Sequence, residues 1–228
     1  ALGIILTPGT GPVGQGVTIN ATDFIPSAIL SVKIDGAALV TNPATVTTGI
    51  VGAVNEGDAT FGITIPTTTA GIHQISVSDG TNTQTATFTV TSKVTITSPT
   101  PARGPVGTSI SVAGTGFSGA GVTADVTIGG LALVQNVTID NAGSFTATGV
   151  VPTLTSGDKA VSASDGAGNA ATTSIQTWNK FTVTPTLTLT PNSGLSGSKV
   201  TVSGSGWAAG AVTLTFAGTG NPWRDPSG

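Results

Sequence analysis

The feature that most constrains this chain is an internal repeat. The first copy reads Leu6-Thr7-Pro8, Gly11-Pro12-Val13-Gly14, Val17-Thr18-Ile19 and Phe24. The second reads Thr97-Ser98-Pro99, Gly104-Pro105-Val106-Gly107, Ile110-Ser111-Val112 and Gly116-Phe117. The third reads Leu189-Thr190-Pro191, Gly194-Leu195-Ser196-Gly197, Val200-Thr201-Val202 and Gly206-Trp207. Their best-matching stretch aligns without gaps. The first two copies keep matching further on: Ile34-Asp35-Gly36 answers Ile128-Gly129-Gly130, and Phe61 with Pro66 answers Phe145 with Pro152. Ser78-Asp79-Gly80 answers Ser164-Asp165-Gly166, and Phe88-Thr89-Val90 answers Phe181-Thr182-Val183. A full copy is about 90 residues with turn signals every 8–12 or so, the pattern of a seven-stranded β-sandwich.

One copy can be read residue by residue. Ile4 and Leu6, like Val94 and Ile96 or Leu187 and Leu189, alternate with other residues as a first strand. The proline that follows removes a ladder donor. Gly-Pro-Val-Gly is a tight turn, its proline presetting φ and its glycines free to take positive φ. Val17 and Ile19 are expected to face inward and Thr18 and Asn20 outward. The next aromatic plugs the core at a bend, and Asp79-Gly80 and Asp165-Gly166 turn the last hairpin.

Composition agrees and excludes much else. Val, Ile and Thr favour a pleated surface, and 33 Gly and 13 Pro punctuate the strand-like runs. Charged residues are only 7% against 38% hydrophobic, with a mean hydropathy of +0.33, so the coat is neutral and Thr-rich. No apolar run of about 18 residues spans a membrane in this segment. Seven basic residues are scattered singly in a chain of net charge −3. Nucleic-acid binding needs a clustered basic footprint and is not expected. With no cysteine, a disulfide scaffold and a thiolate metal site are excluded.

The pattern Thr-Pro-x-Ser-Gly-x-x-Gly-x-x-Val-Thr-Val-x-Gly-x-Gly-Trp at 190–207, followed by Val212-Thr213-Leu214-Thr215-Phe216, resembles the IPT/TIG-type immunoglobulin-like repeats of bacterial and archaeal cell-surface proteins. The resemblance is closest over 187–216 and 94–117 and looser over 2–24. It implies an all-β fold of tandem immunoglobulin-like β-sandwich domains, 1–92 and 93–185, with a partial third repeat at 186–228. Linkers at 91–93 and 184–186 are short, so the domains are expected to stack as a semi-rigid rod. The third repeat is about half the length of a sandwich. Its Val200, Val202, Trp207, Leu214 and Phe216 are expected to form an apolar face with nothing opposite. That reads as a piece of a longer repetitive protein, or as a domain completed by another subunit.

Candidate sites are few. His73 is the only histidine, so neither a catalytic triad nor a zinc ligand set is expected, and Glu56, the only glutamate, sits with Asp58 in a Gly-rich turn between strands rather than as one of two opposed carboxylates in a cleft. No enzyme activity, cofactor or metal is expected, and His73, whose counterpart is Lys159, reads as a structural strand-end residue. Calcium at the Asp-Gly turns would lack carboxylates. Asn20-Ala21-Thr22 and Asn136-Val137-Thr138 are N-glycosylation sequons with Asn20 and Asn136 on outward phases. Trp178, in a stretch without counterpart in the first repeat, either covers the domain junction or binds sugar or another subunit; Trp223 is the other candidate interface aromatic. Trp207 is a core residue by alignment. Sparse edge charge leaves strand edges open to pairing, and a weakly charged surface lowers repulsion between copies. The expectation is a structural segment of an extracellular, cell-surface assembly such as an S-layer or filament, with copies of itself as partners. An adhesin stalk or a glycan-binding accessory module of a secreted enzyme is the alternative.

Overall fold

The computed structural model describes residues 1–173 and 179–215. Among them every regular element is a strand. The first repeat holds β1 (Gly3–Thr7), β2 (Thr10–Pro12), β3 (Gly16–Thr22), β4 (Ser31–Ile34), β5 (Ala37–Ala38), β6 (Thr41–Asn42), β7 (Ala59–Thr64), β8 (Gly71–Ser78) and β9 (Thr83–Thr91). They form two sheets, β1-β3-β7-β6 and β2-β9-β8-β4-β5. All pairings are antiparallel except β2 with β9, which is parallel. This strand order is that of an immunoglobulin-like sandwich, one sheet holding the first, third and penultimate-hairpin strands and the other the closing hairpin.

The second repeat holds β10 (Lys93–Ser98), β11 (Arg103–Gly104), β12 (Ser109–Thr115), β13 (Thr123–Ile128), β14 (Leu131–Thr138), β15 (Phe145–Val150), β16 (Gly157–Lys159), β17 (Val161–Asp165), β18 (Ala170–Thr172) and β19 (Phe181–Val183). Its sheets are β10-β12-β15, β14-β13-β17-β18 and β11-β19-β16. The closing hairpin is continuous in the first repeat, where β8 pairs β9 from Gly71 to Ser78. In the second it is split into β17 with β18 and β16 with β19. The pairing of β16 with β19 and that of β17 with β18 thus fall in separate sheets.

Each sandwich has its own core. The first is built from residues between Val17 and Val90, including Ile19, Phe61, Ile75 and Phe88. The second runs from Val94 to Val183 and includes Ile110, Val126, Phe145 and Phe181. Period-2 burial follows the sequence pattern, with β3 reading exposed-buried in strict alternation from Gly16 to Ala21. Phe24 and Phe117 are both buried, and Phe117 packs on Phe145 with ring centroids 5.2 Å apart and planes tilted by 60°, a favoured aromatic geometry. The Gly-Pro-Val-Gly turn recurs: the N–H of Gln15, Thr108 and Ser198 donates to the carbonyl three residues back, of Pro12, Pro105 and Leu195. In each, the preceding glycine takes positive φ, at Gly14 (83°), Gly107 (89°) and Gly197 (86°). That conformation is what a type II turn requires of its third residue.

The described part of the third repeat is one hairpin, β20 (Thr186–Thr190) with β21 (Thr201–Ser205), paired from Thr186–Ser205 to Thr190–Thr201.

Candidate functional site

Three features of the fold carry more than packing: a carboxylate in each closing hairpin, a polar cluster at each joint between repeats, and the bare face of the third hairpin.

The Asp-Gly turns do more than reverse the chain. Asp79 accepts the N–H of Thr81 (2.9 Å) and Asn82 (2.6 Å) within its turn, and of Ile25 (2.9 Å), the residue after the Phe24 plug. Asp165 repeats this, accepting from Ala167 (3.0 Å), Asn169 (2.9 Å) and Ser118 (2.9 Å), the residue after Phe117. Partial burial raises both carboxyl pKa values, but the ring of donors outweighs it. Both lie below the usual value, Asp79 through the N–H groups of Ile25 and Asn82, Asp165 through Ser118 and Asn169. Each carboxylate, held by N–H donors of its own turn and of the bend after the aromatic plug, ties the closing hairpin to that bend.

His73 is buried, 7% exposed, in the first turn-proximal stretch of β8. Its Nδ1 lies 2.6 Å from Asp35 Oδ2 and its Nε2 2.9 Å from the Thr69 carbonyl oxygen. Asp35 stands on the β4–β5 turn at φ 47°, and its other oxygen accepts the Gln74 N–H at 2.9 Å. Burial pushes the Asp35 carboxyl up, but the bonds from His73 and Gln74 bring it below the usual range. In the second repeat the equivalent residue is Lys159, whose Nζ reaches Thr155 Oγ1 (3.3 Å) and the Ser156 carbonyl (3.5 Å). Gly129 stands in the place of Asp35, and a Cβ there would lie 3.3 Å from the Lys159 side chain.

Both clusters sit beside a joint. The Ala70 N–H donates to the Phe117 carbonyl (3.0 Å), and the Ser156 N–H donates to the Gly206 carbonyl (2.6 Å). The loop before β8 thus meets the aromatic bend of the second repeat, and the loop before β16 meets that of the third. Linker residues close in as well. Ser92 Oγ donates to the Gly116 carbonyl at 2.6 Å, and a Cβ on Gly116 would lie 2.7 Å from the Thr91 carbonyl oxygen.

In the third hairpin the pattern of the first two repeats is kept but not its environment. Val17 and Ile19 are 2% and 0% exposed and Ile110 and Val112 are 0% and 1%, whereas Val200 and Val202 are 45% and 38% exposed. Leu187, Leu189, Val212 and Leu214 are exposed too. Trp207, which alignment places in the core, is 45% exposed. No opposing sheet covers it among the described residues, and its Nε1 instead donates to the Thr186 carbonyl at 3.0 Å across the hairpin.

Asn20 is exposed on β3, flanked by β1 and β7, and its Oδ1 accepts the Thr60 hydroxyl at 2.9 Å. Asn136 is exposed on β14, an edge strand, at φ 56° in a bulge where the register against β13 shifts. Its N–H donates to Asp125 Oδ1 at 2.9 Å. Trp178 and Trp223 lie outside the described residues, as does Phe216. Beside Trp178, the Asn179 side chain pairs with β10, accepting the Ile96 N–H and donating to the Val94 carbonyl, both at 3.0 Å. Glu56 accepts the Gly52 N–H at 2.8 Å and Asp58 the Asp23 N–H at 3.0 Å, both within or beside the same turn.

A further apolar patch is exposed on the first repeat. Ile50, Val51 and Val54 project from the turn before β7, a turn that in the second repeat is shorter. The signal was available: Ile50-Val51-Gly52-Ala53-Val54 is apolar without alternation, in a stretch only the first repeat possesses.

No family model matches the chain, and no curated protein matches it. Solved structures similar to it include SGBP-B of the Bacteroides ovatus mixed-linkage glucan utilization locus in complex with a heptasaccharide, at 20% identity over 76% of this chain and 42% of that one, TM-score 0.29. The D0-D1 domain of intimin matches at 16% identity over 79% of this chain and 96% of that one, TM-score 0.29. The Yersinia pseudotuberculosis adhesin InvE matches at 15% identity over 79% and 58%, TM-score 0.28. The chain therefore spans less than two thirds of the first and third of these proteins. Likenesses at such TM-scores carry nothing about function, and the immunoglobulin-like assignment rests on strand order and core.

Proposed function

We propose that this chain is a structural repeat segment of an extracellular, cell-surface assembly, a layer or filament, in which copies of the chain contact one another, and that it performs no catalysis. The observation that carries this reading is the bare face of the third hairpin. Val200 and Val202 occupy the positions of Val17 and Ile19 yet stand 45% and 38% exposed. Burying an aliphatic or aromatic side chain is worth roughly 1.5–3 kcal/mol. Leu187, Leu189, Val200, Val202 and Trp207 stand 38–52% exposed, so covering what remains wet would be worth on the order of 5 kcal/mol, a large share of a domain's stability. A neighbouring copy seated on that face would cover it. The patch at Ile50, Val51 and Val54 is a second apolar surface that neighbours can use. The absence of catalysis is supported by His73, whose two ring nitrogens are both engaged by structural partners.

Electron microscopy of the native material tests the reading. Ordered lattices or filaments built from this repeat support it. Isolated particles carrying one copy overturn it, and an adhesin stalk or a glycan-binding accessory module then becomes the better reading.

A further inference from the structure

We infer that His73 is a proton-operated latch on the joint between the first and second repeats. A backbone carbonyl only accepts, so Nε2, 2.9 Å from the Thr69 oxygen, must carry a hydrogen. An ionised carboxylate also only accepts, so Nδ1, 2.6 Å from Asp35 Oδ2, must carry one as well. Only the imidazolium satisfies both partners. When it loses a proton, one of the two bonds is lost. The bond to a charged carboxylate is the stronger, so the neutral ring keeps Asp35 and releases Thr69.

Thr69 is not a bystander. Its Cα would lie 2.9 Å from a Cβ on Gly143 of the second repeat, and its Cγ2 would lie 3.5 Å from one on Gly119. The adjoining Ala70 N–H makes the hydrogen bond to the Phe117 carbonyl that crosses the joint. Releasing Thr69 therefore loosens the loop that the second repeat sits on. The second joint is built alike but without the switch: Lys159 replaces His73, Gly129 replaces Asp35, and the Ser156 N–H crosses to Gly206. Imidazole changes charge between about pH 5 and 8 whereas an ammonium does not. The two joints should thus differ in their response to pH within one molecule.

The charged surroundings of His73 are sparse. From the β4–β5 turn it meets Asp35, and from β9 the neutral Phe88 stands opposite it in the ladder. From the loop before β8 it meets Thr69, and on β8 its neighbour is Gln74. Lys33 of β4 is exposed, on the phase opposite the buried Val32 and Ile34. Across the joint the nearest turn carries Asp140, whose Oδ1 is occupied by the N–H groups of Ala142 and Ser144. Asp35 is the one ionised group in contact with the ring among the described residues.

Amide hydrogen exchange on the full chain by NMR tests this, at about pH 5 and pH 8 and corrected for intrinsic exchange. Protection at Ala70 should fall about tenfold relative to Ser156 on raising the pH, the loss expected for one hydrogen bond to a charged group. The nitrogen shifts of His73 should report a doubly protonated ring at the lower pH. In His73→Lys, which installs the side chain of the second joint, the Ala70 to Ser156 ratio should become independent of pH. A ratio unchanged between the two pH values in the wild-type chain, a ring that does not titrate between them, or a pH dependence that survives in His73→Lys would each overturn the inference. The wild-type measurement needs no variant, so a failure of His73→Lys to fold leaves the test intact. Every readout is on the isolated chain, so the outcome is separate from whether the chain polymerises.

Discussion

Asp165 accepts the backbone N–H of Ser118 at 2.9 Å, tying the closing hairpin of the second sandwich to the bend that follows its aromatic plug. Asn169 reinforces the tie, donating from Nδ2 to Ser118 Oγ (2.8 Å) and to Asp165 Oδ2 (2.9 Å). Asp165→Ala removes the acceptor from three backbone N–H groups. The expected cost is about 2–3 kcal/mol, the penalty for stranding donors in a partly buried site. Urea unfolding of the variant against the wild-type chain measures it, and a midpoint unchanged at equal m-value would show that the lock is dispensable. Asp79→Ala is expected to destabilise the first repeat through the same geometry with Ile25.

The same carboxylates set the acid limit. Asp35, Asp79, Asp158 and Asp165 all have pKa values below the ordinary 3.8 in the folded chain. Asp158 owes this to Lys180 and Thr182, which bond it at 2.5 and 2.6 Å. A group whose folded pKa is depressed binds protons more readily when unfolded. Its stabilisation is therefore full above about 3.8 and is lost as pH falls through the folded value. Thermal unfolding should show little carboxylate-driven change down to about pH 5 and a steep decline below about pH 4. Asp165→Asn should flatten part of that decline; an identical acid slope in the variant would assign the decline to other groups.

Two glycines with similar φ should respond differently to alanine. Gly143 has φ 72° and Gly107 has φ 89°. A Cβ on Gly107 meets nothing within 4 Å, but one on Gly143 would lie 2.3 Å from the Phe117 carbonyl oxygen. Gly107→Ala should cost about 1 kcal/mol, the backbone strain alone. Gly143→Ala should cost clearly more, because the chain must also move, and should disturb the Ala70 joint. Calorimetry on both variants checks the ranking, which equal costs would reverse.

Polar substitution of the bare hairpin separates assembly from folding. Val200→Ser with Val202→Ser removes apolar surface that is already exposed, so the unfolding midpoints of the first two repeats should shift by no more than about 0.5 kcal/mol equivalent. Sedimentation and electron microscopy of the same protein should show assembly lost. Assembly that persists unchanged would place the contact elsewhere, with the Ile50–Val54 turn the next surface to alter.

The sequence by itself determined what depends on neighbours along the chain. Alternation placed Val17 and Ile19 inside and Thr18 and Asn20 outside, because the strand period is two whatever lies beyond. Gly14, Gly107 and Gly197 were legible as positive-φ turn residues because that demand is local to four residues. The aromatic plugs Phe24 and Phe117 followed from the repeat. Trp207 did not follow, since burial depends on an opposing sheet and not on the residue. The long-range partners of His73 and Asp165 were likewise out of reach. His73 meets Asp35 38 residues away, and Asp165 meets Ser118 47 residues away. Those pairings exist only once strand register and the docking of loops bring the groups together. Single histidines and Asp-Gly turns look alike in sequence whether solvated or locked. Tertiary structure decides which, because it sets which donors and acceptors lie within hydrogen-bond reach and how much water is left to compete for them.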